Sequence, residues 1–433
     1  MLFSSKESSW QSIIRREAVM AIAQPIFGIV VLILFAWLIS ENRRSVKPVE
    51  AALGLAVTIL LAVIMLRIPF FRHIFGILNT AVGLLEESTR AGTTFVFGYL
   101  GGGELPFDEK APGASYIFGL QSLPIVLVIS ALSSLLFYWR ILPVIVRAFS
   151  WFFQKTLRVG GAVGLSAAAN IFLGMVEAPL FIRPYLKEMT RSELFVTMSC
   201  GMAGIAGTVM VLYASVLKTA IPDAMGHIFV VSIISIPAAI MIAKVMVPET
   251  GKITNGRITP PQAATSSMDA IATGTTQGIY LLINIIAMLI VLVAIVALAN
   301  TLLGLLPKLG GKPVSLQGIL GCIMAPVVWL IGIPWNEAQT AGSLMGTKTV
   351  LNEMIAYLDM AKIPPEALSP RSRLIMMYAL CGFANFGSLG IMIGGMGSMA
   401  PERRGEIISL GIKSIISGTL ATLITGAIVA IIY

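Results

Sequence analysis

Two carboxylates in apolar surroundings carry the chemistry of this sequence. Glu177 closes the run Asn170-Ile171-Phe172-Leu173-Gly174-Met175-Val176-Glu177, and Glu353 lies in Leu351-Asn352-Glu353-Met354-Ile355. An ionisable side chain at membrane depth is costly and marks a functional site by default. An ionised carboxylate holds hydroxyls through charge-assisted hydrogen bonds of about 1.5–3 kcal/mol each. Asn170 supplies an oxygen suited to a cation. It stands seven residues before Glu177, two helical turns back on nearly one face. Glu337 reads as an interfacial residue at the foot of a hairpin, and Lys348 as a structural partner for a carboxylate. No P-loop, HExxH or GxSxG sequence occurs, and the two histidines, His73 and His227, have no evident ligand partners. An acid/base pair made of the two glutamates lacks a neighbouring nucleophile or metal set.

The elements that must hold these groups are membrane helices. Of 433 residues, 57% are hydrophobic and 12% charged, against about 25% charged in a soluble domain. That balance excludes an ordinary cytosolic enzyme. Cys200, Cys322 and Cys381 sit in apolar stretches and read as packing residues. The net charge of +9 is spread between apolar segments with no aromatic-interleaved patch. It therefore reads as loop charge that orients the chain in a bilayer, with no nucleic-acid partner. The basic loops place both termini outside. The polar N-terminus lacks a cleavage signal, and Trp10, Ile13 and Ile14 beside Arg15 and Arg16 suit an interfacial helix or a solvated tail.

Spans of about 20 apolar residues are expected at Pro25–Ser40, Ala51–Met65, Ile117–Trp139, Leu194–Leu217, Ile228–Val247, Ile279–Leu306 and Ile407–Tyr433, with an interfacial helix over Phe70–Leu85. Val159–Met189 and Gly332–Met360 are apolar but broken by Gly, Pro and carboxylates. Irregular backbone survives at that depth only when buried in protein or lining a wet cavity, so each reads as a re-entrant helical hairpin. The fold class is an all-α integral membrane protein of about eight transmembrane helices plus two such hairpins.

The hairpins belong to a repeat. Arg191-Ser192-Glu193-Leu194 and then Cys200-Gly201-Met202-Ala203 follow the first; Arg371-Ser372-Arg373-Leu374 and then Cys381-Gly382-Phe383-Ala384 follow the second. Glu177 precedes Val209 by 32 residues, and Glu353 precedes Asn385 by the same 32. Each copy continues into a helix interrupted by small residues, over Gly201–Gly207 and over Gly382–Ser388. Unwound segments in paired repeats bind ions and polar solutes in secondary transporters. Gly394, Gly395 and Gly397 read instead as close-packing positions.

These stretches resemble the concentrative nucleoside transporter family. The resemblance covers nearly the whole chain and rests on Asn170–Leu194, Gly201–Val209, Asn352–Tyr357 and Cys381–Arg404, the last ending Met399-Ala400-Pro401-Glu402-Arg403-Arg404. It implies a homotrimer importing nucleosides across the plasma membrane, here the bacterial inner membrane, by an elevator-like movement of a hairpin domain. Glu353, Asn385 and Ser388 would bind ribose hydroxyls. Gly174, Met175, Val176 and Glu177 would face the base, with Val209 offering backbone and Phe383 packing. The coupling cation would sit at Asn170 with the carbonyls of Leu173 and Ile205, beside Gly204; no further cofactor is implied. The corresponding division is a tail (1–24), scaffold helices (25–140 and 218–306), a transport domain (141–217 and 307–404) and a last span (405–433). Two departures stand out. The family's Gly-Gln-(Thr/Ser)-Glu tip is here Gly174-Met175-Val176-Glu177, which alters base reading, and a serine that helps bind sodium is here Gly204. Sodium is slightly preferred over protons, with Glu177 as the carrier in the proton case. A membrane-embedded enzyme and a passive channel are the rivals from other classes.

Overall fold

The structure, a computed structural model, describes residues 22–109, 114–218, 220–254, 264–308 and 313–433. The N-terminal segment around Trp10–Arg16 lies outside them, as do the basic loop residues Arg257 and Lys312. Among the described residues every regular element is helical.

The chain opens with α1 (Ile22–Leu38), α2 (Pro48–Arg67) and α3 (Pro69–Phe97). Pro48 and Pro69 occupy the first turns of α2 and α3, where the missing N–H is no loss. α3 is the amphipathic helix expected at Phe70–Leu85, extended by three turns. α4 (Phe118–Gln121) and α5 (Ile125–Tyr138) form one span, and α6 (Ile141–Leu157) follows. The first hairpin region contains α7 (Gly161–Ala169) and α8 (Glu177–Leu180). The broken helix after it is α9 (Arg191–Ala203) and α10 (Gly207–Leu217), followed by α11 (Ala224–Met246) and α12 (Ser267–Leu303). The second half gives α13 (Leu316–Leu330), α14 (Trp335–Val350), α15 (Glu353–Lys362), α16 (Pro370–Leu380), α17 (Phe386–Met399) and α18 (Arg404–Ile432).

Six helices among the described residues are long and apolar enough to cross a membrane. α13 and α14 together also pass that test but are bent by 117° where they meet. Gly332 makes this bend with φ of 104°, a region that L side chains rarely adopt. A Cβ there would stand 2.9 Å from that of Ala430.

The order of helices α7–α8–α9–α10 recurs as α14–α15–α16–α17. At its centre α11 and α18 pack on each other and on α9; 89% of the α11 span is buried but only 6% of the α12 span. α12, 37 residues long, packs along α5 and otherwise turns outward. It begins twelve residues before the apolar run. Ser266 accepts the Asp269 N–H and caps it, so its first turns are polar. α6 and α13 were not expected as separate helices: α6 is amphipathic, and α13 packs against α14.

Candidate functional site

The two breaks are built by caps. α9 starts on a capping box of Thr190 and Glu193. It ends at Ala203, and Gly204-Ile205-Ala206 run unwound before α10 restarts. Gly201 is thus inside the helix and not part of the break. Met175 at the hairpin tip packs on it, within 2.9 Å of where a side chain would begin. α16 ends at Leu380, and α17 restarts when the Asn385 Oδ1 accepts the Ser388 N–H at 2.7 Å. The breaks touch: Phe383 donates its N–H to the Gly204 carbonyl at 3.2 Å. A Cβ on Gly382 would lie 2.8 Å from the Ala203 oxygen.

The breaks and both hairpin tips enclose a cavity of about 180 Å3. Gly174, Met175, Val176, Glu177, Val209, Glu353, Phe383, Asn385 and Ser388 all line it. Glu353 begins α15, where Asn352 caps the helix and the helix dipole favours negative charge. It is buried. Tyr213 donates its hydroxyl to Glu353 Oε1 at 2.5 Å, and Asn385 Nδ2 donates to Oε2 at 3.1 Å. A carboxylate has about four lone-pair positions, so two fixed donors leave room for a bound diol. Ser388 lies one helical turn into α17, beside this pair.

Glu177 differs. It is exposed, at the junction between this cavity and an adjoining one of about 630 Å3 that reaches Arg140 and Arg147. Of the two acids expected at membrane depth, only Glu353 is buried. The expected shared face of Asn170 and Glu177 is corrected too. α7 ends at Ala169, Asn170 caps it, and the chain turns through to Val176, so no continuous helix aligns them.

The four residues taken for a cation lie outside the main cavity. Asn170 is buried against Gly204: a Cβ on Gly204 would stand 3.5 Å from the Asn170 backbone oxygen and 3.6 Å from its side-chain Nδ2. Leu173 lines the adjoining cavity, and Ile205 is buried in the break.

Other expectations resolve as follows. Lys348 pairs with no carboxylate within 4.0 Å among the described residues; its ammonium donates to the Ala379 carbonyl at 2.9 Å and to Thr422 Oγ1 at 3.1 Å. Burial left it no solvated acid, and the end of α16 takes that place. Glu337 caps α16 from outside, accepting from Ser369 N and Oγ at 3.1 Å. Cys200 and Cys381 are buried, but Cys322 is exposed on α13, so it is not a core residue of this chain. Gly395 gives Val176 its seat and Gly397 sits near Arg404, whereas a Cβ on Gly394 would point into open space, so that position is not a close-packing one.

Sequence reasoning missed Tyr213, Asn352, Asn284 and Thr208, which also line the cavity. Tyr213 lies one turn beyond Val209. Asn284 interrupts a long apolar run. Both carried a readable signal of polarity at membrane depth.

A multi-pass helical protein with a polar-floored cavity between paired helix breaks is, as a class, a membrane transporter. The comparisons make this specific. Family models described as "Na+ dependent nucleoside transporter C-terminus", "Na+ dependent nucleoside transporter N-terminus" and "Nucleoside recognition" match residues 227–430, 27–100 and 120–220. An uncharacterized transporter of Haemophilus influenzae is 38% identical over 94% of this chain and 97% of its own length. The nucleoside permease NupC of Helicobacter pylori is 33% identical over 93% and 96%. The structure of CNTnw in an inward-facing substrate-bound state is 34% identical, covers 95% of this chain and 98% of that one, and has a TM-score of 0.87. An outward-facing variant of CNTnw gives 0.88, so the likeness concerns the fold and not one transport state. The chain belongs to the concentrative nucleoside transporter family. It is a nucleoside transporter and not an enzyme, a multi-pass protein of the bacterial inner membrane.

Proposed function

We propose that this chain is a sodium-coupled symporter that concentrates nucleosides in the cell by elevator-type alternating access. The observation carrying the reading is the single cavity into which both tips and both breaks project, with a buried carboxylate whose two oxygens are already oriented. Glu353, with Asn385 and Ser388, takes the vicinal hydroxyls of ribose. A site built to bond hydroxyls rejects analogues lacking them. The base lies toward Met175, Val176 and Glu177, against Val209 and Phe383. Met175 and Val176 offer it no hydrogen bond, which supports a preference for bases that tolerate an apolar wall. The coupling cation takes the Asn170 side chain and the Leu173 and Ile205 carbonyls. The hairpins are re-entrant and move with the broken helices (141–217 and 307–404) as the transport domain. The remaining helices form the scaffold of a homotrimer, a role supported by the outward face of α12.

Proton coupling is the second reading. Gly204 supplies no hydroxyl beside Asn170, and Glu177 stands at the cavity mouth, where it can exchange protons with water. Uptake of radiolabelled nucleosides into proteoliposomes separates the two, first with a sodium gradient at fixed pH and then with a pH gradient without sodium. Accumulation driven by sodium supports the cation site at Asn170; uptake indifferent to sodium removes it. Equilibration without accumulation under either gradient would mark a channel.

A further inference from the structure

Lys348 is used by none of the roles above, yet it is fully buried. An ammonium in such a place must find fixed negative charge or dipoles. It finds the end of a helix and, beyond hydrogen-bond reach, the charge of Glu353. Ala379, whose carbonyl accepts from Lys348 Nζ at 2.9 Å, is the penultimate residue of α16. The last four carbonyls of a helix have no partners within it and carry the negative end of its dipole. In α16 three of them are satisfied locally: Met377 by the Tyr357 hydroxyl, Tyr378 by the Cys381 N–H, and Ala379 by Lys348. Immediately beyond, the chain unwinds to deliver Phe383 and Asn385 to the cavity.

The matching place in the first half is different. Among the described residues no side chain donates to the last four carbonyls of α9. A side chain started on Gly204 would meet the Cys200 carbonyl, the Asn170 carbonyl and the Asn170 Nδ2, all neutral. Asn170 caps the first helix of its hairpin, and Lys348 lies in the last turn of the first helix of the other. Each hairpin therefore presents one polar side chain to the unwound end of the helix that follows it. Only the second presents a charge.

We propose that the Lys348 ammonium is a built-in cation, held at the carbonyl end of α16, that fixes the break before α17 and with it the Glu353–Asn385 pair, so that the second hairpin draws no ion from solution. Lys348 is a positioning residue. The inference rests on the nucleoside reading of the cavity.

The test is equilibrium binding of radiolabelled uridine and adenosine to the purified full chain in detergent. Sodium, lithium or ammonium chloride is titrated against choline chloride at constant ionic strength, and thermal unfolding monitors the fold. Lys348→Met keeps the length and removes the charge; binding should weaken about tenfold or more, the equivalent of one charge-assisted hydrogen bond. No salt should restore it, because the side chain still fills the space. Lys348→Ala vacates the space, and part of the lost affinity should return with a small cation, as a second saturation phase that the wild-type chain lacks. Thr422→Val leaves the ammonium on the Ala379 carbonyl, so binding should fall by less than about threefold with its cation dependence intact, the worth of a weak neutral hydrogen bond. Unchanged binding in Lys348→Met overturns the proposal, as does Lys348→Ala that folds but is rescued by no cation. If neither Lys348 variant folds, Thr422→Val decides: a loss of tenfold or more there means that the hydroxyl geometry, not the charge, holds the break. A wild-type chain that binds neither nucleoside overturns the cavity reading first, and this inference with it.

Discussion

At the first hairpin the tip reads Gly174-Met175-Val176-Glu177, and its acid is exposed at the mouth of the cavity. At the second it reads Leu351-Asn352-Glu353, and its acid is buried with both oxygens bonded. The same divergence appears behind the tips. In the RSxL segment the variable residue is Glu193 in one half, which accepts from Thr190 N and Thr254 N. It is Arg373 in the other, which donates to the carbonyls of Leu368, Met360 and Ile363. Opposite charges thus do the same work of tying loose backbone at the foot of a hairpin. A duplicated frame tolerates this because the backbone offers both donors and acceptors at helix ends. One half has locked its functional groups in place, while the other keeps an acid facing water and a neutral pocket at a helix end.

The comparison is broken most directly at the acids. Glu353→Gln should weaken nucleoside binding about a hundredfold, since it exchanges a charge-assisted acceptor for a neutral amide and disturbs two donors at once. Glu177→Gln, exposed and without a hydrogen-bond partner among the described residues, should cost about tenfold or less, one hydrogen bond's worth. Competition binding on folded protein measures both. Equal losses would mean that the two halves grip the substrate alike.

Stability tests the contact between the halves next. Gly382→Ala would place a methyl 2.8 Å from the Ala203 oxygen and 2.9 Å from Thr422 Cγ2, an overpacking that costs about 1–3 kcal/mol. Gly394→Ala, with open space around it, should be neutral or gain up to about 1 kcal/mol from helix propensity. Thermal unfolding in detergent reads both, and a neutral Gly382→Ala would show that the two breaks do not depend on touching.

What the sequence made legible follows from what repeats locally. Apolar runs marked most of the spans, since period and length need no tertiary information. The broken helices were visible because Gly and Asn cluster where a helix must stop; Glu177, Glu353, Asn385 and Ser388 stood out as polar groups in apolar surroundings, whereas Gly174, Met175, Val176, Val209 and Phe383 came only from the family resemblance. Burial was not legible: nothing in Gly174-Met175-Val176-Glu177 says that Met175 packs on Gly201 while Glu177 turns to solvent. Lys348 was misread because a sequence suggests a carboxylate partner for a lysine, whereas the actual partner is the end of a helix brought from 31 residues away. α6 was passed over because its apolar face is diluted by Arg147, Gln154 and Lys155, which only a docked helix sorts to one side.

The neutral pocket of the first half can be sharpened. Gly204→Ser would aim a hydroxyl at Asn170, although its Cβ would press within 3.1 Å of the Cys200 oxygen. If sodium is the coupling ion, the concentration for half-maximal uptake should fall about three- to tenfold, the worth of one added ligand bond. No change in the sodium requirement would place the cation elsewhere. Met175→Gln with Val176→Thr restores polar groups at the tip and should tighten uridine about threefold, one weak hydrogen bond net of burying the amide. Unchanged uridine competition would mean that the base is read by other residues.

The smallest effect lies at the foot of the first broken helix. Arg191 holds Glu41 in a forked pair at 2.8 and 2.9 Å, and Lys413 bonds the same carboxylate at 2.6 Å. The corresponding Arg371 donates to the carbonyls of Gly332 and Ala430. Glu41 lies in the loop between α1 and α2, and the Arg191 guanidinium, with help from Lys413 and against burial, lowers its pKa from 4.5 to about 2. A lowered carboxylate pKa adds stability that is complete above the unfolded value and is lost as pH falls toward the folded one. Glu41→Gln should therefore lower stability by about 1 kcal/mol at pH 7, after discount for solvent screening. The gap to wild type should close between pH 4.5 and pH 2. Melting curves of wild type and Glu41→Gln in one detergent across this range test this, and a gap that stays constant with pH would show that the forked pair does not set the acid response of the first half.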